Sequence, residues 1–103
     1  MTEHLRIWRY RVAPQKRKEF VHHYSSVGTW TQLFRRSDGY LGTRLWQDAS
    51  DETVFYTLDR WRSAEDFAHF QQHYSGVYEE MDRQLEGLAS EEEFLGACDS
   101  IDA

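Results

Sequence analysis

The sequence predicts a single α+β domain in which helices cover one face of a four-stranded antiparallel sheet. Alternating side chains mark four segments of strand length, and apolar residues at helical spacing mark the segments between them. A short polar connection joins the second and third strand segments as a hairpin. The chain has 103 residues, which is too short for two typical domains, so residues 1–103 are assigned to one domain.

The first strand is expected over residues 5–12, where side chains alternate across the pleat. Pro14 follows at a position suited to the first turn of a helix, because that turn leaves its N–H groups unpaired. Apolar residues at helical spacing continue this helix to about Ser26. A second short helical piece is expected next, with Thr29 as its N-cap.

The second half of the chain begins with a hairpin whose strands are expected over 40–47 and 53–61. Ser63 is then the predicted N-cap of a long helix, with a break near residues 75–76. A last strand is expected over 92–98. The order strand, helix, strand, strand, helix, strand is that of the ferredoxin-like βαββαβ fold.

Composition excludes several classes of protein. No run approaches the ~18 apolar residues of a membrane span, so no membrane association is expected. The single cysteine, Cys98, cannot form an internal disulfide and fits a reducing, cytoplasmic location. The formal net charge of −6 disfavours nucleic acid. An RNA-recognition module shares the order of elements, but residues 54–59 lack its Lys/Arg-Gly-aromatic signature.

Large apolar residues stand on both faces of the predicted hairpin. In the second strand, strict alternation places Leu41 and Leu45 opposite Tyr40 and Trp46, and the third strand shows the same mixture. Since helices cover only one face, the other face of a monomer should be polar. A contiguous apolar patch there indicates an interface, so we expect a symmetric homodimer with two sheets packed face to face.

Three segments resemble the antibiotic biosynthesis monooxygenase family. They are residues 28–34 (GTWTQLF), 39–43 (GYLGT) and 58–63 (LDRWRS), the last followed by Phe67 and Phe70. The resemblance extends over almost the whole chain. It implies a dimeric α/β-barrel with a pocket between the helices and the sheet of each subunit, although fold alone does not determine activity.

The resemblance also implies a type of chemistry. Cofactor-independent members of this family oxidise electron-rich phenols with molecular oxygen and need no cofactor or metal. Such a site deprotonates the substrate, which then reduces oxygen itself, inside an apolar cavity with a tryptophan wall. Trp61 occupies the position of that tryptophan. Quinone-forming members carry Asn four residues before it and Tyr six residues after it, where this chain has Thr57 and Phe67.

Haem-degrading members of the family combine the same tryptophan with other residues. They have an asparagine in the first strand and a histidine about ten residues after the tryptophan. Trp8 and Gln71 stand at those positions here, so the proximal haem ligand is missing from the pattern. His69 and His73 are four residues apart and could share a metal, but no third ligand has suitable spacing, so no metal is expected.

We expect three catalytic residues: Trp61 as the wall, Asp59 as the base and Tyr74 as a proton carrier. A carboxyl group placed against aromatic rings is difficult to ionise, which suits a base, whereas a salt bridge from Asp59 to an arginine is the structural alternative. The expected substrate-binding residues are the neighbouring aromatic and polar side chains Trp8, Tyr10, Phe55, Thr57, Phe67, Phe70 and Gln71.

The leading hypothesis is therefore a cofactor-free monooxygenase acting on a small aromatic or phenolic ligand. The alternative is a dimer that binds a small ligand without catalysis, which Thr57 and Phe67 favour. Haem binding or degradation is a third and weaker alternative.

Overall fold

A computed structural model describes residues 3–102, so both ends of the assigned domain lie outside the described residues. The elements occur in the predicted order, and the ferredoxin-like α+β fold is confirmed. They are β1 (His4–Arg11), a 3₁₀ turn (Pro14–Lys16), α1 (Arg17–Tyr24), α2 (Thr29–Phe34), β2 (Tyr40–Gln47), β3 (Val54–Trp61), α3 (Ala64–Gln84) and β4 (Glu91–Asp99).

The sheet has the strand order β2-β3-β1-β4, and all neighbouring strands are antiparallel. In the β1–β3 ladder, Arg6 is paired with Asp59 and Trp8 with Thr57. Because directly paired residues point to the same face, these four side chains share the face that the helices cover. The central ladder thus places charged and polar groups beneath the helices.

A β-bulge interrupts β2 between Tyr40 and Gly42. Gly42 has φ +141°, a conformation that glycine adopts readily and other residues avoid. The extra residue reverses the alternation, so Tyr40 and Leu45 both pack against the core, while Trp46 is 50% exposed on the other face. The prediction that Tyr40 and Leu45 lie on opposite faces is therefore wrong, since strict alternation fails at a bulge.

Aromatic rings form most of the core between helices and sheet. The Phe20 ring of α1 stacks on Tyr24 at 4.3 Å and contacts both Tyr10 and Phe55 at 5.3 Å between ring centroids. Burying one such side chain contributes roughly 1.5–3 kcal/mol. The side chains that α2 buries are Trp30, Thr31, Leu33 and Phe34.

The start of α3 confirms the predicted cap. The Ser63 hydroxyl accepts a hydrogen bond from the backbone N–H of Asp66 at 3.1 Å and donates one to the Asp66 carboxylate at 2.9 Å. Tyr74 has non-helical φ and ψ of −115° and 19°, so α3 is kinked one residue before the predicted break. The kink lets the second half of α3 take a different direction from the first.

The start of α2 differs from the prediction. Gly28, in extended conformation, is the N-cap, and Thr29 is the first helical residue. The Thr29 hydroxyl is hydrogen-bonded to Nδ1 of His23 at 2.7 Å instead. The prediction of Thr29 as N-cap is wrong, because this hydroxyl is engaged by the preceding helix.

Candidate functional site

A cavity of about 310 Å³ lies between the helices and the covered face of the sheet. This volume is at the lower end of the roughly 300–1,000 Å³ typical of ligand pockets. Each strand and each α-helix contributes to its wall. The lining residues are Trp8, Tyr10, Tyr24, Trp30, Phe34, Thr43, Thr57, Asp59, Tyr78, Asp82 and Glu92.

Asp59 is the buried acid of this cavity, with 8% of its surface exposed. It lies opposite Thr43 in the β2–β3 ladder, and the Thr43 hydroxyl donates a 2.6 Å hydrogen bond to Oδ1 of Asp59. The Tyr40 hydroxyl is hydrogen-bonded to Thr43 in turn. Within residues 3–102, Oδ2 of Asp59 has no hydrogen-bond partner, so this oxygen is free to accept a proton from a ligand.

The environment of Asp59 favours its protonated form. Burial raises the pKa of Asp59 to about 6, while the hydrogen bond from Thr43 and the charge of Arg6 lower this pKa by less. A group with this pKa can both take and return a proton near neutral pH.

Arg6 approaches Asp59 without forming an ion pair with it. Its guanidinium lies over the rings of Phe67 and Phe94, at 3.9 Å and 4.5 Å from their centroids. Among the described ion pairs, none joins Arg6 to Asp59, so the structural alternative of an arginine salt bridge is not observed. The charge of Asp59 is thus left without a direct counter-ion.

Three tyrosine hydroxyls belong to the cavity wall, and all three stay protonated at neutral pH. Burial raises the pKa of Tyr10 well above its ordinary value, and its hydroxyl is hydrogen-bonded to Thr57 at 3.2 Å. Burial also raises the pKa of Tyr24, and raises that of Tyr78 to about 12. These phenols can orient a ligand through hydrogen bonds but are poor bases.

The mouth of the cavity is acidic. Asp82 of α3 and Glu92 of β4 are exposed there. Partial burial and the neighbouring charge of Asp82 raise the pKa of Glu92. The buried indole Nε1 of Trp30, also in the wall, has no hydrogen-bond partner among the described residues.

The structure brings four of the ten predicted site residues to the cavity wall: Trp8, Tyr10, Thr57 and Asp59. The other six do not line it, and they are Phe55, Trp61, Phe67, Phe70, Gln71 and Tyr74. Phe55 and Phe70 are buried core residues, Phe67 packs partly buried against the core, and Gln71 is exposed on α3. The Tyr74 hydroxyl donates a 3.3 Å hydrogen bond to the backbone carbonyl of Arg36.

Trp61 is fully buried, with 0% exposure. The rings of Phe34, Tyr40, Phe67 and Phe70 surround it at centroid distances of 5.2–5.6 Å. Phe34 stands in the cavity wall and Trp61 packs behind it. Trp61 therefore supports the wall from the core side.

Sequence reasoning missed several residues of the wall. Thr43 could not be predicted, because it faces Asp59 only as a result of the register that the bulge in β2 sets. Tyr78 and Asp82 are four residues apart and share a helix face, a signal that could have been read. Glu92 joins them only through the packing of β4, which local spacing does not show.

Neither a metal-binding cluster nor a membrane-spanning helix is found among the described residues. Within residues 3–102, no group of three or more His, Cys, Asp or Glu side chains could hold a metal ion. No helix in this part of the chain is both long and apolar enough to cross a bilayer.

Known structures of similar fold include a candidate antibiotic biosynthesis monooxygenase from Nitrosomonas europaea. It has a TM-score of 0.73 and 15% identity, over 96% of this chain and 90% of that one. SnoaB, a cofactor-independent oxygenase from Streptomyces nogalater, has a TM-score of 0.72 in the crystal structure of a variant. The identity is 13%, over 98% of this chain and 95% of that one.

A conserved protein from Methanosarcina mazei shares the fold as well, with a TM-score of 0.64 and 14% identity over 97% of this chain and 91% of that one. No curated protein sequence matches the chain significantly. The sequence model of one family, described as antibiotic biosynthesis monooxygenase, matches residues 4–76. This chain therefore belongs to the antibiotic biosynthesis monooxygenase family.

Proposed function

We propose that this protein is a cofactor-independent monooxygenase that oxidises a small phenolic compound in the cavity beneath its helices. The observation that carries the proposal is Asp59, a buried carboxyl group with a pKa of about 6 and one oxygen left unpaired within the described chain. Membership of the monooxygenase family supports it, and SnoaB is a cofactor-independent oxygenase of the same fold.

In the proposed reaction, Asp59 removes a proton from the substrate, and the electron-rich anion transfers an electron to molecular oxygen. Recombination forms a C–O bond, and protonation by Asp59 gives a hydroperoxide. The carbon that bears the hydroperoxide keeps one hydrogen, and this C–H bond and the O–O bond break together to release water and leave a carbonyl group. One oxygen atom thus enters the product and the other leaves as water. In this proposal Tyr10 donates to the Thr57 hydroxyl, which in turn donates a hydrogen bond to the substrate oxygen, while the Thr43 hydroxyl keeps its hydrogen bond to Asp59.

The aromatic wall contributes by excluding water from the reacting anion. Phe34 forms part of this wall and is held by Trp61 at 5.6 Å and by Phe70 at 5.1 Å. We therefore assign Trp61 and Phe70 a positioning role through Phe34. Tyr74 and Gln71 lie outside the wall, and the proposal gives them no step.

The experiment is oxygen uptake with dihydroxyanthrone as the probe, without added flavin, haem or metal. Asp59→Asn should lower kcat by about 100-fold or more, because the amide cannot take a proton. Asp38→Asn makes the same chemical change at an exposed loop position and should leave the rate unchanged. A wild-type rate in Asp59→Asn would contradict the proposed base.

A ligand-binding protein without catalysis is the second candidate. Two observations favour it. Trp61 is buried behind the wall, and Thr57 and Phe67 stand where quinone-forming relatives carry Asn and Tyr. Binding of dihydroxyanthrone, measured by quenching of tryptophan fluorescence, with no oxygen uptake by the wild type would support this function over the first.

We also propose that the protein is a symmetric homodimer formed through the uncovered face of the sheet. On that face Trp46 is 50% exposed and Leu58 lies near its centre, paired with Ile7 and Arg44. Sedimentation should give twice the chain mass for the wild type and for the control Val77→Arg on α3. Leu58→Arg should give the mass of one chain, and a monomeric wild type would contradict the dimer.

A further inference from the structure

We propose that the ligand of this cavity is an aromatic compound carrying a protonated amine, with the ammonium group held at the mouth between Asp82, Glu92 and aromatic faces. The inference rests on the proposed function of the cavity, because the phenol end of the same ligand would face Asp59. Beyond that function, the inference specifies the charge of the ligand and the direction in which it lies in the cavity.

The wall of the cavity is acidic. Within the described chain, three carboxyl groups line the cavity, Asp59, Asp82 and Glu92, and no lysine or arginine does. Arg6, whose charge acts on Asp59, is stacked on two phenylalanine rings and does not join the wall. An anionic ligand would meet like charges without a counter-ion, whereas a cation would relieve the repulsion between the two acids at the mouth.

Aromatic rings lie beside the two acids at the mouth. The rings of Trp30 and Tyr78 have centroids 4.9 Å apart, and Tyr24 lies 6.2 Å from Trp30. The negative charges of Asp82 and Glu92 both act on the Tyr24 and Tyr78 hydroxyls, raising the pKa of each, so the acids and the rings are neighbours. Aromatic faces together with a carboxylate are the usual recognition site of an ammonium group.

Asp59 lies at the buried end of the cavity. Asp59 is more than nine-tenths buried, and its Oδ2 is unpaired within residues 3–102, so it calls for a hydrogen-bond donor on the ligand. A phenol hydroxyl is such a donor. The cavity therefore offers a carboxylate at each end and aromatic walls between them, which complements a flat ring with a hydroxyl at one end and an ammonium group at the other.

Three probes of the same ring and similar length test the charge of the ligand by calorimetric titration at neutral pH. They are tyramine, which is cationic, para-ethylphenol, which is neutral, and para-hydroxyphenylpropionate, which is anionic. Tyramine should bind about tenfold tighter than para-ethylphenol, and the anion should bind weakest. Equal affinities for tyramine and para-ethylphenol, or no binding of tyramine at millimolar concentration, would overturn the proposal.

The double variant Asp82→Asn/Glu92→Gln locates the effect. It should lose most of the tenfold preference for tyramine, because the charge at the mouth is gone and only the aromatic faces remain to attract the ammonium group. The matched control Glu79→Gln/Glu93→Gln removes two exposed carboxylates from the same two elements outside the cavity and should keep the preference for tyramine. An undiminished preference for tyramine in the first double variant would contradict the proposed site.

The binding readout is independent of catalysis, so the two proposals can fail separately. Preference for tyramine without oxygen uptake by any probe would leave the ligand class standing and remove the oxygenase function. Oxygen uptake with neutral phenols and no preference for the amine would support the oxygenase function and contradict the proposed ligand class.

Discussion

Replacing Asp59 by asparagine should stabilise the protein at neutral pH. Burial raises the pKa of Asp59 from its ordinary value of 3.8 to about 6. This difference corresponds to about 3 kcal/mol that the folded protein loses when the carboxyl ionises. Asparagine has the same shape, carries no charge, and its side-chain oxygen can still accept the hydrogen bond from Thr43.

The pH dependence follows from the sign of this pKa change. The folded state holds the Asp59 proton more tightly than the unfolded state, so the contribution of Asp59 to stability is greatest at low pH and falls as pH rises from about 4 to about 6. Asp59 is faced by Arg6 and Tyr10 of β1, Tyr40 and Thr43 of β2, and Tyr78 of α3. Arg6 and Thr43 oppose the rise in the pKa of Asp59, and Tyr78 stays neutral over this range.

Urea unfolding of wild type and variant measures the effect. The two should have equal free energies of unfolding near pH 4, and the variant should be more stable by about 3 kcal/mol at neutral pH. Subtracting one curve from the other removes the contribution of the other titrating groups. A variant that is less stable than the wild type at neutral pH, or a difference that does not change with pH, would refute the reasoning.

Three further substitutions test the packing around the site. Trp61→Ala should cost about 3–5 kcal/mol of stability in urea unfolding, because the indole is fully buried, and a loss below 1 kcal/mol would contradict that burial. Gly39→Ala should lower Tm, since a Cβ there would lie 2.4 Å from Cβ of Asp66, and an unchanged Tm would show that this contact relaxes freely. Ser63→Ala should cost about 1 kcal/mol through loss of the α3 cap, and should leave ligand affinity unchanged in the same preparation.

The third strand shows what sequence can predict about this site. Strict alternation over the third strand predicts that Phe55, Thr57, Asp59 and Trp61 share one face, and all four are buried beneath the helices. The same rule failed at Gly42, where the bulge depends on how β2 pairs with β3 rather than on the local pattern.

The division of roles among the aromatic residues could not be predicted either. Periodicity places Trp61 toward the helices, but whether it faces the cavity or the core depends on how Phe34 of α2 packs against it. The acidic mouth could not be predicted for a similar reason, since Asp82 of α3 and Glu92 of β4 come together only in the tertiary structure.

Removal of a proton by Asp59 from an aromatic ligand bound beneath the helices is the step on which the proposed function depends. An anaerobic titration with dihydroxyanthrone, followed by its absorption spectrum at neutral pH, tests it before any oxygen reacts. The wild type should show the band of the deprotonated probe, and Asp59→Asn should bind the probe without that band. The same band in both proteins, or none in the wild type, would contradict the account.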